Sequence, residues 1–501
     1  MTCPPELASD APLIWSYGTG RQLWAVFQAV VGKDLEALRG LLEEEPRLAK
    51  AHFEYRTPLH FAVRENNVEA ARLLLDKRAF PLGLVLDEPF YQLAVRRGYA
   101  EMAALLYEHL TRVLNAWPEG NGVCEALRER DLERARELLG ARPELLHRGD
   151  ERGNQPIHFA VMSRNLEAID WLLEAGADLD VARPDGAKPL HLFNGDYHYR
   201  GWRDVPEDTP KPREVLDYLI AKGARLDLNV ACLVGDLSRV KEILAEDPGA
   251  VNRCDGYLSY YPGCGAPIKN ACVRGNLELV RYLLDAGADP NLPEPEIAPE
   301  GHALMTAVNY GHYEVAALLL ERGANPNARV ESSADVLSAA LRGGDARMIE
   351  LLCSYGARRD VEIMAYYNDL QTVAAVLHAQ PSQAKDRAAL QCAAEEGNLA
   401  MIRLLLRYEP DLAKQVSLKG KTREITEYLF ERGMPATLAN WLGITALHRF
   451  AREGDVENAE LFLSRGADPH AVDFEMKMTP LGWAEHYKKP EIVDILRKYE
   501  E

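Results

Sequence analysis

The chain has 501 residues, 27% of them charged, and a formal net charge of −19 at pH 7. This acidity, without a long basic run, argues against nucleic acids and anionic membranes as partners, and it equally suits a protein that only needs to stay soluble. No segment approaches the roughly 20 apolar residues of a transmembrane helix, and the eight cysteines include no CxxC pair. We therefore expect an acidic, cytoplasmic protein with no membrane partner.

The N-terminal stretch differs from the rest of the chain. Residues 1–20, MTCPPELASDAPLIWSYGTG, have no helical period, no basic region and no long apolar run, so we predict an irregular leader and not a signal sequence. A helical period begins within Ala25–Leu42, and we expect Trp15 and Trp24 to cover the open end of this first unit.

The clearest unit of the chain is Gly265–Asn291, GAPIKNACVRGNLELVRYLLDAGADPN. Pro267 suits the first turn of a short helix, and Gly275 suits the left-handed conformation that ends one. Asn276 then starts a second helix, whose leucines and valine form an apolar stripe. Because two such short helices are marginal alone, we expect the unit to stack against copies of itself on each side.

Copies of this unit recur through the chain with many steps of about 33 residues. They are marked by the residue in the turn between the two helices, at Gly32, Asn66, Gly98, Arg130, Arg164, Gly235, Gly275, Gly311, Gly344, Asn368, Gly397, Gly420, Gly454 and Lys488. A degenerate copy around Pro189–His191 brings the total to about fifteen units.

Several segments resemble the ankyrin-repeat motif. They are Thr57–Ala62 (TPLHFA), Gln155–Ala160 (QPIHFA), Thr445–His448 (TALH), Thr479–Leu481 (TPL) and terminators such as Gly287–Asp289 (GAD). The resemblance implies an all-α fold, an ankyrin-type helix–turn–helix–hairpin solenoid that forms a single elongated arc over residues 21–501. It implies no particular function, because the scaffold hosts many.

Three insertions and one run of short repeats break the period. The inserted loops are residues 195–212, GDYHYRGWRDVPEDTPKP, residues 252–264, NRCDGYLSYYPGC, and residues 292–301, LPEPEIAPEG. Between about residues 345 and 420 several steps shrink to roughly 24 residues, so we expect these units to keep their helices and lose their hairpins.

The first two inserted loops hold more aromatic residues than a connector needs. Flat rings beside charged groups are what a site for a sugar, a peptide or another polar ligand requires. Because the loops belong to nearby repeats, we expect them to converge over the concave face, although rings that plug the groove or pack on adjacent helices would have the same composition. The candidate ligand-binding residues are Tyr197, Tyr199, Trp202, Arg203, Tyr257, Tyr260, Tyr261 and His302.

A smaller set of imidazole and carboxylate groups is a weaker candidate for catalysis, namely His191, Asp196, His198 and Asp204. His191 occupies the histidine position of the motif, where the resemblance implies a backbone hydrogen bond. General acid or base catalysis by a His–Asp pair is the alternative. The spacing of these residues matches no compact metal motif, and the chain has no glycine-rich phosphate loop, so we predict neither a metal nor a cofactor.

The preferred prediction is a binding scaffold whose concave face and inserted aromatic loops capture a partner protein or an extended ligand. The alternative is an enzyme or small-molecule receptor, acting on a polar, sugar-like ligand in a pocket under the loops 195–212, 252–264 and 292–301. A scaffold should spread its aromatic residues over many hairpin tips. An enzyme should hold a carboxylate and an imidazole within mutual reach in one pocket, where they could perform general acid/base chemistry.

Overall fold

The structure is a computed structural model, and it describes residues 1–81, 83–85, 88–150, 153–184, 186–195, 206–254, 261–294, 297–331 and 334–499. The chain forms two compact units, a larger one of residues Asp10–Ala357 and a smaller one that combines Met1–Ser9 with Arg358–Glu501. The predicted all-α solenoid of paired helices is confirmed. Within the described ranges, the strands are two short antiparallel hairpins, β1 (Leu84–Val85) with β2 (Glu88–Pro89) and β3 (Arg329–Val330) with β4 (Ala334–Asp335).

The helices of the larger unit follow one another mostly in pairs. They are α1 (Gly20–Val31), α2 (Leu35–Glu44), α3 (Pro58–Arg64), α4 (Val68–Asp76), α5 (Phe90–Arg96), α6 (Ala100–Arg112), α7 (Asn121–Arg128), α8 (Leu132–Ala141), α9 (Pro156–Met162), α10 (Leu166–Glu174), α11 (Pro212–Ala221), α12 (Leu228–Val234), α13 (Leu237–Glu246), α14 (Pro267–Cys272), α15 (Leu277–Asp285), α16 (Ala303–Asn309), α17 (Tyr313–Glu321), α18 (Val336–Gly343) and α19 (Ala346–Ser354). The first helix of a pair packs on the first helices of its neighbours, as α14 does on α12 and α16. Each pair therefore buries its apolar stripe against adjacent pairs and not in one central core.

Local sequence explains why the pairs repeat. The second helix usually starts after an Asp or Asn whose side chain accepts an N–H from the first turn, as Asn276 does from Leu279 at 3.1 Å. A cap of this kind stabilises a helix by about 1 kcal/mol. Gly275 precedes this cap with φ +66°, and an added Cβ there would lie 2.5 Å from the ring of His312. Glycine at this turn therefore allows both the left-handed backbone and close packing of the next pair.

Two distant parts of the larger unit meet through their hairpins. The hydroxyl of Tyr55 donates to Oε1 of Glu331 at 2.6 Å, and the ring of Tyr55 stacks parallel to His52. The guanidinium of Arg329 lies 5.7 Å from the ring centroid of Trp15, which belongs to the leader. The first and last hairpins of this unit are therefore linked directly as well as through the stacked helices.

The smaller unit continues the pairs with one departure. Its helices are α20 (Val361–Tyr366), α21 (Leu370–Ala379), α22 (Arg387–Glu395), α23 (Leu399–Tyr408), α24 (Arg423–Glu431), α25 (Ala446–Glu453), α26 (Val456–Ser464), α27 (Pro480–His486) and α28 (Pro490–Leu496). Single 3₁₀ turns at Pro381–Lys385 and Pro410–Gln415 stand where longer hairpins would be. Residues 416–422, which precede α24, are not helical. The repeat that contains α24 has therefore lost its first helix and kept its second.

The N-terminal segment belongs to the core of the smaller unit. Leu7 lies in a 3₁₀ turn, Glu6–Ala8, and is fully buried. The N–H of Thr2 donates to the carbonyl oxygen of Trp441 at 3.1 Å. The first nine residues therefore supply packing and a hydrogen bond to repeats from the other end of the chain.

Candidate functional site

The described stems of the three inserted loops lie against one another in the larger unit. An added Cβ at Gly263, in the second loop, would lie 3.3 Å from Cδ2 of His191, just before the first loop. The N–H of Ala266 donates at 3.1 Å to Oε1 of Glu294, in the third loop. The second loop, together with Ala266 two residues beyond it, thus contacts residues at the other two loops.

Four buried polar side chains, which we call the Arg183 chain, anchor the second loop. Nη1 of Arg183 donates to Oδ1 of Asn154 at 2.7 Å, and Nη2 donates to the hydroxyl of Tyr261 at 2.5 Å. The backbone N–H of Asn154 donates to Oδ1 of Asp150 at 2.8 Å. Since all four side chains are at least nine-tenths buried, their hydrogen bonds replace lost hydration and fix the position of Tyr261.

Two polar residues of α14 bind the backbone of the same loop. Nζ of Lys269 donates to the carbonyl oxygens of Tyr261 at 3.3 Å and Cys264 at 3.0 Å. Asn270 accepts the N–H of Gly263 at 2.8 Å and donates to the Cys264 carbonyl at 2.9 Å. The sequence carried a signal for both residues, because a lysine and an asparagine interrupt a short buried helix where apolar or small side chains are usual.

A carboxylate and an imidazole approach each other in the third loop. Oε2 of Glu294 lies 3.4 Å from Nδ1 of His302, and both side chains are largely buried. Burial lowers the pKa of His302, and the nearby charge of Lys269 lowers it further, while Glu294 acts in the opposite direction. The folded protein therefore favours the neutral imidazole.

The stability of the larger unit is expected to fall as the pH drops below the ordinary histidine pKa of 6.5. With a lower pKa in the folded chain, His302 binds fewer protons than it does in the unfolded chain, and this difference favours unfolding in acid. Urea unfolding midpoints of wild type and His302→Asn, measured at about pH 7.5 and about pH 5.5, should show a smaller acid-induced loss in the variant.

The comparison isolates His302 from two other histidines, His109 and His448, whose pKa values burial also lowers. These two histidines are unchanged in the variant. An equal acid-induced loss in both proteins would show that His302 does not carry this effect.

The structure describes three of the predicted site residues. His191 is 1% exposed, and its Nδ1 accepts the N–H of Lys188 at 3.1 Å, a contact that supports the backbone role implied by the motif. The turn around His191, Pro189–Leu192, is a 3₁₀ helix and not the full helix expected, because the chain leaves it early through Gly195, whose φ is +96°. Tyr261 is the buried tyrosine of the Arg183 chain, and His302 is the largely buried imidazole beside Glu294. The other nine lie outside the described residues, namely Asp196, Tyr197, His198, Tyr199, Trp202, Arg203, Asp204, Tyr257 and Tyr260.

Within the described residues there is neither a metal-binding cluster nor a membrane-spanning helix. No group of three or more His, Cys, Asp or Glu side chains in these ranges is arranged to hold a metal ion. No helix there combines the length and apolarity needed to cross a lipid bilayer.

Comparison with known proteins identifies the repeat in several segments of the chain. Models of ankyrin repeats match residues 228–330, 123–173, 54–82 and 442–474. The chain is similar to the mouse ankyrin repeat and SAM domain-containing protein 6, with 32% identity over 31% of this chain and 17% of the relative, and to mouse Rabankyrin-5, with 25% identity over 37% of this chain and 18% of the relative. A putative ankyrin repeat protein of Rickettsia felis is 22% identical over 67% of this chain and 82% of its own length. The chain spans under a fifth of the two mouse proteins, and what it shares with all three is the repeat. The matched segments are therefore ankyrin repeats.

Proposed function

We propose that this protein is a cytoplasmic binding scaffold whose concave face and inserted loops hold a partner protein or an extended ligand. Ankyrin repeats are in general protein-interaction scaffolds. One observation carries the finer proposal: the stem of the second inserted loop lies against the stems of both other loops, through Gly263 with His191 and Ala266 with Glu294. Loops that a rigid scaffold brings together are the usual place for recognition.

The way the stems are held supports recognition by the loops over simple connection. A connecting loop needs no buried charge, yet Arg183 and Lys269 are both at least nine-tenths buried beneath the second loop. Such groups are costly to bury, and their hydrogen bonds to Tyr261 restrict the loop base. A restricted base reduces the conformational entropy lost when a loop binds its partner. The eight cysteines form no disulfide within the described residues, which agrees with a reducing compartment.

The test is site-specific photo-crosslinking in cells, with a benzophenone amino acid placed at Tyr257 or, as a control, at Tyr355. Tyr355 is a 42% exposed tyrosine that directly follows α19 and belongs to none of the inserted loops. We expect a discrete crosslinked partner at Tyr257 and none at Tyr355. Tyr257→Ala and Trp202→Ala should each weaken binding of that purified partner by about tenfold or more, while Tyr355→Ala leaves it unchanged.

Two results would contradict the scaffold proposal. One is equal crosslinking at both positions, which would indicate random contact. The other is a purified partner that binds Tyr257→Ala, Trp202→Ala and wild type with the same affinity, which would move the interface away from the inserted loops.

The alternative function, an enzyme or receptor for a polar small molecule, is favoured by the Glu294–His302 pair. A neutral imidazole beside a carboxylate is the arrangement of a general base. If this alternative holds, a sugar-like ligand should raise the melting temperature of wild type and not of His302→Asn. A partner protein that binds both equally well would favour the scaffold.

A further inference from the structure

The smaller unit contains a cavity of about 350 Å³ where the first helix before α24 is missing. The flanking first helices, α22 and α25, supply Arg387 and Arg449 to its walls. The end of the preceding 3₁₀ turn supplies Gln415, and the non-helical segment supplies Val416, Ser417 and Leu418. Hairpin residues from Leu438 to Ile444 close another side. A full helix in this place would fill the space, so the shortened repeat accounts for the cavity.

The cavity concentrates positive charge in an acidic protein. Arg387 and Arg449 are its charged lining residues, and neither forms an ion pair with a carboxylate of the described chain. Two carboxylates whose charges act on Arg449, those of Glu453 and Glu395, already accept other donors. Glu453 accepts Lys419 Nζ at 2.9 Å, and Glu395 accepts Nε2 of Gln391 at 2.8 Å.

The guanidinium group of Arg449 is only partly hydrated in the folded protein. Its Nη2 donates to the carbonyl oxygen of Ser417 at 2.7 Å. Although the residue remains solvent-accessible, the surrounding protein displaces part of its hydration and lowers its pKa. The hydroxyl of Ser417 is buried and makes no hydrogen bond within the described chain. A buried hydroxyl without a partner is unfavourable and is typical of a place where another group binds.

The other residues that line the cavity indicate which chemical group would be attached to an anion bound there. Val416, Leu418 and Ile444 are buried apolar residues, and Leu438 is an exposed one at 41%. The amides of Gln415 and Asn440 lie at the same walls. A volume of this size suits a small ligand or one residue of a peptide.

We propose that this cavity binds a carboxylate carried on a short apolar group. The two arginines would hold the carboxylate, since guanidinium matches its geometry, and the leucine, valine and isoleucine walls would cover the apolar part. The ligand is either a free organic acid or the C-terminal residue of another protein, because both present this chemistry. The cavity shares no residue with the loop stems, so this site and the proposed scaffold function can fail independently.

Ligand-observed NMR titration of the full-length protein with hexanoate tests the proposal. We expect a dissociation constant of about 0.1–1 mM for hexanoate and binding at least about tenfold weaker for hexanamide, which lacks the charge. Arg387→Gln should weaken hexanoate binding by about tenfold, because one of two charge-assisted contacts is lost. Ala388→Leu, which fills the cavity without changing its charge, should weaken it as strongly.

Arg407→Gln is the matched control, because Arg407 is an exposed arginine of α23 outside the cavity that forms no ion pair within the described chain. It should bind hexanoate like wild type. Arg387 is also exposed, so its variant should keep the far-UV circular dichroism and melting temperature of wild type. Equal affinity for hexanoate and hexanamide, equal affinity of Arg387→Gln and wild type, or no binding up to about 10 mM would each overturn the proposal.

A second titration distinguishes the two sources of the carboxylate. The probes are an acetylated Gly-Gly-Leu peptide with a free C-terminus and the same peptide as its amide. Tighter binding of the peptide acid than of hexanoate supports a protein C-terminus, and exclusion of the peptide with retained hexanoate binding supports a free acid. A peptide amide that binds as well as the peptide acid would contradict a carboxylate site.

Discussion

Replacing Arg183 with Met is expected to lower the free energy of unfolding of the larger unit by about 2–4 kcal/mol. The substitution keeps most of the side-chain volume but leaves Asn154 Oδ1 and the Tyr261 hydroxyl without their donor. Each such loss in a buried site costs about 1–3 kcal/mol. Urea unfolding followed by circular dichroism measures the change, and hydrogen exchange of the Tyr261 region locates it.

Arg322→Met is the matched control for this prediction. Arg322 pairs with Asp285 at 2.9 Å, but both side chains are more than one-third exposed, so its loss should cost about 0–1 kcal/mol. Tyr261→Phe removes only the hydroxyl and should fall between the two. If Arg183→Met were no less stable than Arg322→Met, the Arg183 chain would not anchor the second loop.

Replacing Asp473 with Ala should destabilise the smaller unit by about 3–5 kcal/mol. The carboxylate is 1% exposed and accepts four hydrogen bonds. Three come from backbone N–H groups, those of Glu475 and Met476 at 2.6 Å and of Met478 at 3.1 Å, and the fourth comes from Nε1 of Trp483 at 2.9 Å. Alanine leaves all four donors without this acceptor. Urea unfolding followed by tryptophan fluorescence measures the loss.

The same substitution should also weaken hexanoate binding. The N–H of Phe474 donates to the carbonyl oxygen of Leu442 at 2.7 Å, so the turn at Asp473 supports the hairpin that forms one wall of the cavity. Asp468→Ala is the control, because the exposed Asp468 accepts a single N–H, that of His470, and its loss should cost about 1 kcal/mol or less. If both variants lost a similar free energy of unfolding, the buried Asp473 carboxylate would contribute no more to stability than the exposed Asp468.

The repeat could be predicted because its determinants are local. A glycine or another residue with positive φ between the helices, followed by an Asn or Asp cap, is visible in many single copies, and the structure has this turn at Gly275 and also at Arg130 and Arg164. At Gly32 the left-handed residue is the next one, Lys33, and Gly420 has no positive φ because no first helix precedes it. The short spacing between turns at about residues 345–420 could not distinguish a repeat without its hairpin from a repeat without its first helix, because both losses shorten the repeat.

The sites were harder to predict because their contacts are not local. Arg183 and Tyr261 are 78 residues apart in the chain, and Ala266 and Glu294 are 28 apart. Aromatic residues drew attention to the loops, while the buried cations that hold the second loop were missed, although Lys269 stands in a short helix that should be apolar. The cavity beside Ser417 arises from an absent helix, which no individual residue reveals.

The position of the first nine residues has a consequence for the order in which this protein can mature. They leave the ribosome before Asp10–Ala357, but the smaller unit, in which Leu7 is buried, is completed only from Arg358 onward, after the larger unit has been made. A nascent chain must therefore keep this leucine exposed, and available to chaperones, throughout that interval. A fragment beginning at Arg358 would lack part of its own interior, so dissecting the protein at the boundary between its two units leaves neither piece with all of its native packing.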